Sequence, residues 1–185
     1  MARAFAAGSD VVTLSPGTAA GITFGTFGLI VRRGSDSGGS SWTSLMTIWT
    51  GGTPRASVTF DGSDNLAFEG GPGDGSSAVS LKTADGWALV TWSKATGSAA
   101  INVQKYLFAT DAWSTGSISA MGNWTGGTSL QIGQGISSAF DGDIAVAGVW
   151  GRALSDAEIK NLPFSLHAWH AAAPNGLWVL DQSLS

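Results

Sequence analysis

The stretch AFDGDIAVAGVWGRALSDAEIKNL, residues 139–162, constrains the fold more than any other part of the chain. Ile144, Val146 and Trp150 alternate with Ala145, Ala147 and Val149, with Gly148 interrupting, which is the two-residue period of an extended strand. Ser155 then stands three residues before Glu158, the spacing of a capping box in which each side chain bonds the other residue's backbone N–H. Leu154 and Ile159 are placed to form the accompanying hydrophobic staple, and Leu162 continues that apolar face. Pro163 ends the helix or breaks it, because a proline pushes the preceding residue out of the helical region. Neither face of the strand is polar, so both require cover. One belongs in a core; the other meets the C-terminal helices of this chain or another chain.

Around this unit the chain reads as many short strands separated by turn signals. Residues 5–14 form a first strand, closed by Ser15-Pro16-Gly17. Residues 22–33 set Phe24, Thr26, Gly28 and Ile30 against Thr23, Phe27, Leu29 and Val31, with glycines that permit bending. GSDSGGSS (34–41) and GGPGDGSS (70–77) read as flexible loops, with a strand at 42–50 and a hairpin of 56–60 and 66–69 between them. Residues 87–94 and 99–109 make the clearest hairpin, around Ala95-Thr96-Gly97-Ser98. Residues 110–128 read as one long irregular connection. Strands at 130–133 and 143–150 complete the core, followed by a second short helix at 164–172 and a closing strand at 176–181. No internal repeat of about 20–50 residues is visible. This pattern predicts an all-β, antiparallel sandwich or barrel with one or two short C-terminal helices, as a single domain over residues 1–185.

The motif residues carry a resemblance. Phe140, Gly142, Ile144, Trp150, Arg152, Ala153, Leu154, Ser155, Glu158 and Ile159 resemble the last core strand and following helix of laminin-G-like, concanavalin-A-like jelly-roll modules. ARAFAAGSDVVTL is similar to that family's first strand, and WALVTWSKATGSAAINVQKYLF to its central hairpin. The resemblance implies a lectin-like jelly roll, an all-β antiparallel β-sandwich rather than a barrel. Ala145 and Val146 stand where members often carry an acidic pair, so any role of that pair is not inherited. The closing strand resembles one that precedes Phe5 in such modules; it either closes this sheet in a permuted arrangement or belongs to a second unit.

Charge and composition narrow the function. Only 12% of residues are charged, about half the roughly 25% usual for soluble domains. Gly, Ser and Thr fill the polar positions, a surface suited to packing against neighbours or to glycan hydroxyls. A net charge of −4 argues against nucleic acid, which needs clustered Lys and Arg. Arg32-Arg33 is the one adjacent pair and marks the exposed end of a strand. Cysteines are absent, and the expectation is no secretory signal and no membrane insertion. A lectin-like module of this kind is at home among bacteriophage virion proteins, an inference from the family's distribution.

Glycosidases need two carboxyl groups flanking one bond, about 5–5.5 or 6.5–9.5 Å apart. The chain has two glutamates, Glu69 and Glu158, and Glu158 is used by its cap. Asp141 and Asp143 have strand-face spacing, but a turn feeding the strand accounts for them. Asp61, Asp64, Asn65, Asp141 and Asp143 are the calcium candidates, with turn roles the simpler account, and no cofactor is expected. His167 and His170 share a helical face without a third ligand for zinc.

Nine tryptophans are the informative excess. Trp49, Trp87, Trp92 and Trp150 read as core, Trp169 as helix packing and Trp178 as part of the last strand. Trp42, Trp113 and Trp124 border loops, where an indole can stack on a sugar while Asp36, Asp111 and Asn123 hold hydroxyls; the alternative is that these indoles anchor long loops. The leading expectation is therefore a non-enzymatic virion protein, a capsid decoration or minor tail component. Its expected partners are other virion proteins or copies of itself, and cell-surface glycans. A free carbohydrate-binding lectin is the alternative, and a glycoside hydrolase the third reading.

Overall fold

The computed structural model describes residues 3–5, 11–14, 25–36, 42–70, 73–119, 127–136, 138–172 and 174–180. The strands are β1 (Arg3–Phe5), β2 (Val12–Leu14), β3 (Gly25–Arg33), β4 (Thr43–Thr50), β5 (Thr53–Phe60), β6 (Asn65–Glu69) and β7 (Gly75–Ser80). They continue with β8 (Ala88–Lys94), β9 (Ile101–Leu107), β10 (Ala112–Ile118), β11 (Ser129–Ile132), β12 (Ser138–Ala139), β13 (Gly142–Trp150) and β14 (Gly176–Val179). Helices α1 (Asp156–Asn161) and α2 (Leu166–Ala171) lie between β13 and β14, joined by a 3-10 turn at Leu162–Phe164.

The strands form two sheets. Sheet 1 runs β1-β13-β3-β8-β9-β10, with β14 also on β13; sheet 2 runs β2-β11-β4-β5-β6-β7, with β12 on β4. All pairings are antiparallel except the short β12–β4 pair. Period-two alternation turns Phe27, Leu29 and Val31 of sheet 1 toward Ile48, Val58 and Phe60 of sheet 2, and these side chains build one buried core. The fold is thus an antiparallel β-sandwich, the jelly roll that the resemblance implies, with two short helices near the C-terminus.

The structure corrects several readings of the sequence. Residues 5–14 are not one strand: β1 pairs with β13 in sheet 1, whereas β2 pairs with β11 in sheet 2. Residues 75–77 belong to β7, and the long connection after residue 110 contains β10, paired over its full length with β9. Arg32 is exposed, but Arg33 is buried at 4% exposure. In β13 the register shifts between Ile144 and Val146. That bulge sends Ile144 into the sandwich core with Ala147 and Val149, while Val146 and Trp150 face outward beneath the helices. An unbroken alternation had placed Ile144 with Val146 and Trp150.

The helices sit where the sequence predicts, for the predicted reason. Ser155 Oγ accepts the Glu158 N–H, and the Glu158 carboxylate accepts the Ser155 N–H at 2.8 Å. Pro163 falls in the 3-10 turn that separates α1 from α2. Leu154, Ile159, Leu162 and Trp169 then form a second buried cluster with Val146, Trp150 and Leu89, so this chain covers much of the outer face of β13 itself. Gly28 of β3 and Gly148 of β13 seat the indoles. Gly28 and Gly148 are cross-strand partners, and a Cβ at 148 would lie 2.6 Å from the Trp150 ring and 2.9 Å from Trp169.

Candidate contact site on the outer face of sheet 1

The helices cover only part of that outer face. Beside them a groove of about 390 Å³ remains open, floored by Ile30, Trp87 and Ala145 and walled by Pro163, Phe164 and Leu166. A shallower depression continues it toward Phe108. Among the described residues, the large apolar side chains that stand exposed are Phe164 (67%), Val179 (53%), Leu166 (45%) and Phe108 (38%). All four line this groove or its continuation. Scattered apolar residues are ordinary on a surface, whereas contiguous apolar patches are characteristic of interaction sites, so this convergence makes the groove the candidate contact site.

One wall of the site is an aromatic ladder. The Tyr106 ring lies 5.2 Å from Phe108, 5.0 Å from Trp113 and 5.9 Å from Phe164, centroid to centroid. The Tyr106 hydroxyl donates to Asp111 Oδ1 at 2.8 Å. Asp111 occupies the left-handed region (φ 52°) at the tip of the β9–β10 hairpin, a conformation aspartate tolerates better than most residues. On the opposite side the Arg32 guanidinium lies 5.4 Å from the centre of the Trp87 ring and binds Asp143 Oδ2 at 2.6 and 2.9 Å. Trp87 is thus a half-buried part of the groove, not the core residue its sequence context predicts.

The structure separates the other sequence candidates. Asp111 and Trp113 come together at the ladder. Asp36 lies elsewhere, accepting hydrogen bonds from the side chain and backbone of Thr83, both at 2.6 Å, and these hold its carboxyl below the ordinary range. Trp42 is half-buried ahead of β4, its carbonyl accepting the Ser138 N–H. Asn123 and Trp124 lie outside the described residues. The sequence reading missed Tyr106, Phe108, Phe164, Leu166 and Val179 as site residues. The available signal was the pair Tyr106 and Phe108, which share one parity at the end of an alternating strand.

Of the other candidate carboxylates, those of Asp61, Asp64 and Asp143 are engaged by protein donors. Asp61 accepts from Ser63 N–H, Asn65 N–H and Asn65 Nδ2 in a turn. Burial pushes its carboxyl up, but bonds from Asn65, Ser76 and the backbone outweigh this and lower it. Asp64 is bound by Arg33 and Lys82. Asp143 is held by Arg32, and the Asp141 carbonyl accepts the Gly34 N–H at 3.0 Å. His167 and His170 are exposed on α2, and no cluster of three acidic or histidine side chains suited to a metal occurs among the described residues.

Glu158 is strongly perturbed. A two-pronged contact with Arg152, at 2.6 and 2.9 Å, together with the Ser155 backbone N–H lowers its pKa to about 2. It therefore carries no proton to donate near neutral pH. Because the folded value is depressed, this contribution to stability is complete above about pH 4.5 and disappears as pH falls toward about 2. A carboxyl-carbon NMR titration is expected to give a midpoint near 2, and Arg152→Met to move it back toward the ordinary value. A wild-type midpoint at the ordinary value would contradict the pairing.

No protein-family model and no curated protein matches the chain. Solved structures do match. The enzymatically active domain of tailspike protein 2 from bacteriophage CBA120 aligns at TM-score 0.62 and 15% identity, over 93% of this chain. The full-length tailspike protein 2 from an Escherichia coli O157:H7 bacteriophage aligns at 0.63 and 16%, over 95% of this chain. The chain spans only 28% and 26% of those two proteins. The CBM40 module of a Ruminococcus gnavus sialidase, solved with α2,3-sialyllactose, aligns at 0.56 and 12% over 86% of this chain and 98% of that one. At these identities the likeness defines a class of fold: a lectin-like jelly-roll sandwich also used in phage tailspike and carbohydrate-binding proteins. No helix among the described residues is long and apolar enough to cross a membrane.

Proposed function

We propose that this chain is a non-enzymatic accessory protein of a bacteriophage particle, a capsid decoration or minor tail component of laminin-G-like type. It docks on a neighbouring virion subunit through the groove on sheet 1 and also contacts host-surface glycans. The convergence of Phe108, Phe164, Leu166 and Val179 on one groove is the observation that carries this reading. Exposed apolar surface is costly to keep in water and is retained where a partner covers it. The likeness to a phage tailspike supports the virion setting. Neutralised carboxylates at Asp143, Asp64 and Glu158 support a binding rather than a hydrolytic role, with no cofactor required.

The test is incorporation into particles. Phe164→Ser with Leu166→Ser removes exposed apolar surface without touching the core, so the variant should melt as the wild type does. Its occupancy on purified particles should fall by about tenfold or more, the effect of losing roughly 1.4 kcal/mol of contact. Unchanged occupancy would overturn the docking role. Polysaccharide hydrolysis abolished by Asp141→Asn and Asp143→Asn would overturn the non-enzymatic one. The second reading, a free carbohydrate-binding module, is favoured by the ladder of Tyr106 and Trp113 beside Asp111.

A further inference from the structure

The groove on sheet 1 has a direction. Its floor follows one cross-strand row: Val179 of β14 stands opposite Val146 of β13, Val146 opposite Ile30 of β3, and Ile30 opposite Leu89 of β8. Directly opposite residues share a face, here the outer one, because Val146, Ile30 and Leu89 pack in the outer cluster. Two residues along the same strands, Gly148 and Gly28 already lie beneath Trp169 of α2. The helical layer thus covers one row, and the groove occupies the next. Its far end is Phe108, just beyond β9, whose N–H donates to the Trp87 carbonyl at 3.2 Å. Strands β14, β13, β3, β8 and β9 lie side by side in that order. Four strand spacings therefore separate Val179 from Phe108, roughly 20 Å.

The chemistry of the floor selects the occupant. Strands β13, β3 and β8 are each paired on both sides over this span, so the floor has no backbone group to offer. Ser165 is the one hydroxyl residue lining the groove, and its Oγ already accepts the Ala168 N–H at 3.2 Å. An extended segment laid across such a floor would leave its own N–H and C=O groups dry and unpartnered. A helix satisfies those groups internally and presents only side chains. The adjacent row shows the same solution within the chain, where α1 and α2 cover it.

We propose that the groove seats an amphipathic helix of about 13 residues, supplied by a neighbouring virion subunit and lying across the strands from Val179 to Phe108. Its apolar residues recur at i, i+3 or i+4, and i+7, and it extends the helical layer that α1 and α2 begin. This rests on the docking half of the function proposed above and gives the form of the partner's contact.

Photo-crosslinking in assembled particles tests it. Benzoylphenylalanine replaces Val179 in one form of the intact chain and Phe108 in another. Both side chains are exposed, so each form should melt as the wild type does. After irradiation, mass spectrometry identifies the virion residues joined to each position. A helix in the groove makes both positions label one segment of one subunit, at residues roughly 11–15 apart. An extended segment crossing the groove would give residues about 5–7 apart. A strand added to the outer edge of β14 would be labelled from position 179 alone, since it runs along β14 and does not reach Phe108. Either of those patterns, labels in unconnected segments, or labelling of another copy of this chain overturns the helix and leaves docking standing. No cross-link to any virion component from either position overturns the helix and the docking function together.

Discussion

Trp169→Ala should cost about 3–5 kcal/mol, the usual range for emptying a buried aromatic site, and lower the melting temperature by roughly 6–20 °C. The indole is fully buried, lies 5.5 Å from Trp150 between ring centres, and donates from Nε1 to the Leu162 carbonyl at 2.9 Å. It rests, together with the Trp150 ring, on a floor made flat by Gly28 and Gly148. Truncation therefore opens a cavity that the sheet cannot close and removes the donor from a carbonyl in the turn between α1 and α2. The same loss should reach the groove, because Phe164 and Leu166 flank that turn. Calorimetric melting gives the number. A loss below about 1 kcal/mol would mean that the helices do not pack on sheet 1 as described.

Asp64→Ala should be comparably damaging, about 3–5 kcal/mol, because it strips a carboxylate from a buried cation. Asp64 is 2% exposed and Arg33 4% exposed; Arg33 Nη1 binds Asp64 Oδ1 at 2.6 Å and the Leu81 carbonyl at 3.1 Å. The guanidinium also lies 4.4 Å from the centre of the Phe60 ring. The pair joins the end of β3 in sheet 1 to the β5–β6 turn of sheet 2, where Lys82 is a second partner of Asp64. Replacing both members, with Arg33→Met and Asp64→Leu, should recover most of the loss, since apolar side chains of similar size avoid the cost of burying charge. A double-mutant cycle read from denaturant midpoints measures the coupling. Additive single losses would show that the two side chains do not act as a pair.

Legibility followed the range of the interactions. The capping box at Ser155 and Glu158 depends on residues three apart, and the β8–β9 hairpin on a short turn, so both could be read directly. The bulge at Ala145 could not. It arises from pairing with β3 and flips the face assigned to Ile144, although the local alternation is unbroken. Strand β10, with Ser114, Thr115, Gly116 and Ser117, lacks the apolar alternation of a strand and is held in place by its hairpin with β9. Gly75, Ser76 and Ser77 of β7 were masked by loop-like composition in the same way. The split of residues 5–14 between the two sheets is likewise a product of long-range pairing. Trp113 and Asp111 were found as aromatic and acidic residues near a loop, but the ladder they join depends on the pairing of β10 with β9, which sets Trp113 opposite Tyr106, and on Phe164 from the distant turn between the helices. Arg33 and Asp64 looked like a strand end and a turn residue because a buried ion pair between 33 and 64 leaves no local pattern.

The central claim is that the groove on sheet 1 is covered in the assembled particle. Hydroxyl-radical footprinting of the free chain and of intact particles reads this at Phe108, Phe164 and Leu166. The account expects all three to be labelled readily in the free chain and protected by about tenfold or more in the particle, while Trp42, half-buried ahead of β4 and away from the groove, keeps its labelling. Equal labelling of the three residues in both states would contradict it.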